Sequence, residues 1–151
     1  MSAIWRDGKH PVTAGGGEGV TRGTLIQQLG IEFLEAGDDW LKGRMPVDER
    51  THQPFGVLHG GASVALAETL ASWAGTCAVG ADSICVGMEI NANHVRPVSE
   101  GWVYGVARQE AAGRTTQVWS IRITDEQDRL VCISRMTLAV VPLQGRLKPH
   151  G

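Results

Sequence analysis

Hydrophobic positions in the second half of the chain recur with period two. Over residues 117–124, Trp119, Ile121 and Ile123 fall on one face and Val118, Ser120, Arg122 and Thr124 on the other, the alternation of a strand with one side buried. Residues 84–96, 102–111 and 130–141 behave alike. The turn formers Ala112-Gly113-Arg114 and Asp125-Glu126-Gln127-Asp128 divide them into hairpins, with Pro97 and Gly101 bracketing the remaining corner. Four consecutive antiparallel strands are expected. Upstream, residues 31–36 and 40–47 flank Gly37-Asp38-Asp39 and predict a first hairpin. Between the two groups, residues 58–79 are free of proline, too long for a strand and rich in alanine, so they predict one helix. Its scarcity of polar positions predicts burial almost all round. A short lead-in helix over residues 24–29, with Leu25, Ile26 and Leu29 on one face, stops at Gly30.

The order strand, strand, long helix, four strands predicts an α+β fold in which one antiparallel sheet covers one central helix. At 151 residues, 42% of them hydrophobic, the chain holds one core of ordinary size. Residues 1–20 end in Ala14-Gly15-Gly16-Gly17-Glu18-Gly19 and are expected to form a flexible arm, residues 21–143 the domain, and residues 144–151 a frayed tail.

Fourteen Lys and Arg against sixteen Asp and Glu give a net charge of -2 and no basic block, which argues against a nucleic-acid partner. No stretch approaches the ~18 to 20 apolar residues of a membrane span. The first twenty residues carry Arg6, Asp7, Lys9 and Glu18 and no apolar secretory core, so a cytoplasmic setting is expected. Cys77, Cys85 and Cys132 form no CxxC spacing and fit neither a disulfide framework nor a zinc ribbon; reduced core thiols are expected.

Glu68 is the most informative residue. Apart from Cys77 it is the only ionisable side chain between Gly60 and Ala81, and Val64, Ala65, Leu66, Ala67 and Leu70 offer it no partner. An unpaired carboxylate among apolar neighbours is costly, so it reads as a site-lining nucleophile or general base; a solvent-facing or Arg-paired helix residue is the structural alternative. Eight to nine residues upstream, His59-Gly60-Gly61 opens the helix. Its free N–H groups and paired glycines could receive a carbonyl oxygen as an oxyanion hole, or merely permit close packing. His59 reads as a base, a loop-locking donor or, least well, a metal ligand, since no close ligand spacing is present. Ser63, in Gly61-Ala62-Ser63-Val64-Ala65, lies inside the helix and lacks the strand a nucleophile elbow needs. Arg96, Arg108, Arg114, Arg122 and Arg135 read as a solvated outer face, with Arg96 and Arg114 best placed for phosphate.

The run Gln53-Pro54-Phe55-Gly56-Val57-Leu58-His59-Gly60-Gly61-Ala62-Ser63, then Ala67-Glu68, then Gly87-Met88-Glu89-Ile90-Asn91-Ala92-Asn93-His94-Val95-Arg96, resembles the hotdog-fold acyl-CoA thioesterases. Within them it is similar to the bacterial branch of 1,4-dihydroxy-2-naphthoyl-CoA, enterobactin-proofreading, Arthrobacter-type 4-hydroxybenzoyl-CoA and phenylacetate-pathway enzymes. The resemblance covers residues 24–142. It implies a hotdog fold, a curved antiparallel sheet wrapped around one long central helix. It also implies Glu68 as catalytic carboxylate, Gly61 or Gly60 as backbone donor to the thioester carbonyl, and His59 and Gln53 shaping the site. Ser72 would lie near the acyl pocket, Gly87 along the pantetheine arm, and His94, Val95, Arg96, Gly113, Arg114, Thr115 and Thr116 against CoA. The substrate would be an acyl-CoA or acyl-carrier protein with an aromatic or bulky acyl group. No added cofactor is implied, because coenzyme A is part of the substrate, and no metal. A homodimer assembling into a homotetramer is implied, with Glu68 of one subunit facing Gln53, His59 and the glycines of the other. A hydratase or dehydratase using His59 as base, and a non-enzymatic acyl-CoA-binding protein, are the alternatives.

Overall fold

The computed structural model describes residues 2–15 and 18–143. In chain order it contains α1 (Pro11–Gly15), α2 (Glu18–Thr21), α3 (Leu25–Gln28), β1 (Glu32–Ala36), β2 (Trp40–Pro46), α4 (Gly60–Cys77), β3 (Ser83–His94), β4 (Trp102–Ala112), β5 (Thr116–Thr124) and β6 (Leu130–Pro142). The predicted strands and long helix are present, with ends shifted by one or two residues. Alternation also holds in detail: Trp119, Ile121 and Ile123 are fully buried on the inner face of β5.

The strands form one antiparallel sheet in the order β1-β2-β4-β5-β6-β3. This corrects the expected run of four consecutively paired strands. β3 does not pair with β4. It lies against β6 from Ser83↔Pro142 to His94↔Cys132, and the chain then returns to lay β4 on β2, where Val47 N–H donates to Gly101 O at 2.8 Å. Alternation is a property of one strand and carries no information about its neighbours. The crossing leaves β3 as a twelve-residue sheet edge, with α4 packed across one face of the sheet.

The helix packs through Leu66, Ala67, Leu70, Ala71 and Ala74 onto Leu41, Met45, Val103 and Ile121, all of them fully buried. Leu70 is received by two glycines that are register partners, Gly43 on β2 and Gly105 on β4. A Cβ on Gly43 would stand 2.7 Å from Leu70 Cδ2 and 2.7 Å from the Glu32 carbonyl oxygen, and one on Gly105 would stand 2.7 Å from Leu70 Cδ1. The Glu32 obstacle is backbone and cannot rotate away. Gly43→Ala is therefore expected to destabilise the fold by about 1–3 kcal/mol in chemical denaturation.

Burial of α4 is one-sided, which corrects the expectation of burial all round. Val64, Ala65, Glu68, Thr69, Ser72, Trp73 and Thr76 are only half-buried along the opposite face. In the lead-in helix Leu25 is 62% exposed, while Ile26 and Leu29 pack on the core.

The N-terminal segment is not the loose arm expected from its glycine run. Ile4, Trp5 and Val12 pack against the core, and Trp73 Nε1 donates to Pro11 O at 2.8 Å. Lys9 Nζ donates to Val79 O at 3.1 Å, supplying a cation to carbonyls at the C-terminal end of α4, and Ala81 N–H donates to Asp7 Oδ2 at 2.7 Å. Apolar residues ahead of the glycines repay the entropy of ordering residues 2–15. Residues 1, 16 and 17 of that expectation, and the tail at 144–151, lie outside the described residues.

Candidate active site

Glu68 lies where the half-open face of α4 meets β3. A Cβ built on Gly87 would stand 2.5 Å from Glu68 Oε1, so the bare backbone at 87 makes room for the carboxylate, next to a register shift between Gly87 and Glu89. No ion pair among the described residues involves Glu68. The Arg-paired alternative therefore falls away. Ser72, four residues on, is half-buried on the same face.

At the other end of the helix the first N–H groups are almost all taken. His59 is the N-cap: its Nδ1 accepts from Gly61 N–H at 2.7 Å, and its carbonyl accepts from Ala62 at 3.0 Å and Ser63 at 3.2 Å. The N–H of His59 itself donates to Thr51 O at 2.8 Å. That leaves Gly60 N–H as the donor of the first turn without an acceptor among the described residues, at the positive end of an 18-residue helix. Of the two glycines offered by the motif, Gly60 is thus the one free to receive an anion.

Space at both glycines is used by imidazoles. A Cβ on Gly61 would stand 2.9 Å from His59 Nδ1, and one on Gly60 would stand 3.0 Å from Nε2 of His94. His94 thus reaches the helix tip from the end of β3. A cleft of about 390 Å³ opens there, lined among others by Gln53, Leu58, Gly60, Ser63, His94 and Arg96. Gln53 sits in a tight turn completed by Gly56 at φ 78°, and its Oε1 accepts from Phe55 N–H. Val95 is 56% exposed beside it.

Glu68 and Gly60 do not meet within one chain. Eight residues of helix separate them by about 12 Å along the axis, whereas the oxygen and carbon of one carbonyl are adjacent atoms. The hairpin Gly113-Arg114-Thr115-Thr116 is also distant from His94 and Arg96. Thr116 pairs with Ala139, which pairs with Val86, and Val86 lies eight residues before His94 on β3, roughly 27 Å of strand.

Two residues escaped the sequence reading. Thr51, 1% exposed, ties the loop before α4 to β2 through Oγ1 to Pro46 O at 2.8 Å. Trp73 anchors the N-terminal segment. Neither lies in a recognisable spacing, and only the apolar positions Ile4, Trp5 and Val12 hinted at the second.

Other chemistry is poorly served. Burial pushes the thiols of Cys77 and Cys85 up to about 11, so neither is a nucleophilic thiolate near neutral pH. Among the described residues no cluster of three or more His, Cys, Asp or Glu is gathered for a metal, and no helix is long and apolar enough to cross a membrane. A larger depression of about 770 Å³ on the outer face of β2, β4 and β5 sets Lys42, Arg108 and Arg122 beside Glu110 and Asp128. It contains none of the motif residues, and its charge is mixed in sign.

The arrangement can be compared with known proteins. The thioesterase superfamily model matches residues 55–132, which include Gly60, Glu68 and Gly87. The chain is 47% identical over 138 residues to 1,4-dihydroxy-2-naphthoyl-CoA hydrolase of Escherichia coli, covering 91% of this chain and 99% of the relative. It is 55% identical over 119 residues to proofreading thioesterase EntH of Cronobacter turicensis, covering 79% and 87%. Thioesterase HI1161 of Haemophilus influenzae superposes with a TM-score of 0.88 at 43% identity, covering 96% of this chain and 99% of that one. A lone carboxylate on the central helix, an open amide at its tip and these similarities agree: the chain belongs to the thioesterase superfamily, as an enzyme with the hotdog fold.

Proposed function

We propose that this enzyme hydrolyses an acyl-CoA bearing an aromatic or otherwise bulky acyl group, giving the free acid and CoA. The observation that carries the reading is a pair of groups without a partner among the described residues: Gly60 N–H at the helix tip and the Glu68 carboxylate against Gly87. The thioester oxygen sits on Gly60 N–H, whose charge stabilisation grows as the tetrahedral intermediate forms. Glu68 attacks the carbonyl carbon to form a mixed anhydride that water then opens, or it takes a proton from the attacking water; in both routes the C–S bond breaks and CoA leaves as the thiol. The aromatic acyl group is supported by the name of the Escherichia coli relative, a naphthoyl-CoA hydrolase. Reduced, buried cysteines are compatible with a cytoplasmic setting.

The separation of Glu68 from Gly60 supports a site shared between two copies. β3 is a sheet edge, and its flanks carry Met88 and Val95, 64% and 56% exposed. Antiparallel pairing of two β3 edges about a two-fold axis between Ile90 and Asn91 sets Gly87 opposite the partner's His94, and so brings Glu68 towards the partner's Gly60. The same operation brings Gly113, Arg114, Thr115 and Thr116 towards the partner's Arg96, where they would hold CoA together. A homotetramer built from two such dimers completes the proposed assembly.

Subunit complementation tests the shared site. Glu68→Gln and Gly60→Pro chains are each expected to be inactive, while their co-assembly gives mixed dimers with one intact site and recovers about a quarter of wild-type activity. Failure to recover any activity from verified mixed dimers would rule out a site made in trans. Assay of the wild type on benzoyl-, naphthoyl- and fatty acyl-CoAs, and on the same acyl groups carried by acyl-carrier protein, tests the substrate class directly.

A further inference from the structure

A backbone N–H has no lone pair, so the 2.7 Å contact from Gly61 requires Nδ1 of His59 to be the unprotonated nitrogen. In the neutral ring the proton then sits on Nε2. Gly61 contributes twice to this. Its N–H selects the tautomer, and its missing Cβ lets the ring lie against the first turn, where a Cβ would stand 2.9 Å from Nδ1 and 3.0 Å from Cε1. Gln53 is held in the same manner: Phe55 N–H occupies Oε1, so the amide NH2 is turned the other way and only donates.

We infer that Gly61 is a positioning residue for catalysis, holding His59 as an Nε2–H donor to the reacting thioester. An N-cap alone would be served by Ser, Thr, Asp or Asn, which cap through an oxygen and place no ring N–H at the distal position of Nε2. His59 is instead exposed, one residue from the open Gly60 N–H, and the capping bond is the ring's one hydrogen bond among the described residues. With Nδ1 engaged by Gly61 N–H and the proton on Nε2, the ring presents no free lone pair to the substrate. Acceptor chemistry is left to Glu68, which counts against a hydratase with His59 as base. The inference rests on the hydrolase reading above.

The tautomer is measured first, on the full-length chain labelled with 15N-histidine, above neutral pH, by two-bond 15N–1H imidazole spectra. His59, assigned by its disappearance in His59→Asn, is expected as the Nε2–H form, and as a mixture in Gly61→Ala. An Nδ1–H form in the wild type overturns the inference. Kinetics supply the second test. His59→Asn keeps a capping acceptor and, with its NH2 next to the capping oxygen, loses the N–H at the Nε2 position, so kcat is expected to fall about 10²-fold with little change in KM or Tm. His59→Ala should lose the same kcat and also lower Tm. Gly61→Ala should lower kcat despite the better helix propensity of alanine. Wild-type kcat in His59→Asn would reduce His59 to a cap and overturn the proposal. A wild type that binds acyl-CoA without hydrolysing any would instead sink the hydrolase reading, and the tautomer result would stand apart from it.

Discussion

Glu68→Gln is expected to lower kcat for acyl-CoA hydrolysis by about 10²–10⁴-fold, the usual weight of a positioned base or nucleophile, while KM and the thermal melt stay near wild type. The substitution keeps the size and hydrogen-bonding reach of the side chain, so the contact with Gly87 survives. Folding does not depend on the charge, because no ion pair among the described residues is lost with it. Removing an unpaired, half-buried carboxylate relieves desolvation and leaves no other charge stranded. A variant that turns over within tenfold of wild type would show that the carboxylate is not at the reacting carbon. Steady-state release of free thiol, together with circular-dichroism melting, reads both halves of the expectation.

Gly60→Pro is expected to lower kcat by about 10²–10³-fold, the cost of one oxyanion donor, again with the fold intact. Proline at the first helical position has no N–H to lose to the helix and is preferred there. His59 before it already has φ -68° and ψ 132°, the extended conformation that a following proline demands. A Cβ at this position would have the far end of His94 as its nearest neighbour, with Nε2 at 3.0 Å. Gly60→Ala is the control, since it introduces the same Cβ and retains the N–H. Near wild-type turnover in Gly60→Ala and strong loss in Gly60→Pro would isolate the amide proton as the active element. Equal losses in both would assign the effect to displacement of His94, and Gly60 would cease to be the oxyanion donor.

Both predictions concern residues that stand out in the sequence, yet their roles were unequally legible there. Glu68 could be recognised because a single acid in an alanine-rich helix is conspicuous whatever surrounds it. The glycines were ambiguous: His59-Gly60-Gly61 marks a helix start, but the choice between the two N–H groups depends on where the His59 ring turns. Residues 1–20 read as an arm because the glycine run dominates their composition, while Ile4, Trp5 and Val12 find their partners only on elements distant in the chain.

The sequence alone determined the strands, the long helix and the carboxylate upon it, because periodicity, turn chemistry and helix propensity act over a few neighbouring residues. The tertiary structure decided that β3 leaves β4 for β6 and becomes a sheet edge, that Gly61 N–H is spent on His59 while Gly60 N–H stays open, and that Glu68 lies about 12 Å of helix from that amide. Strand partners and the acceptor of a given N–H are chosen by packing among residues far apart in the chain, and such choices leave no periodic trace in the order of amino acids.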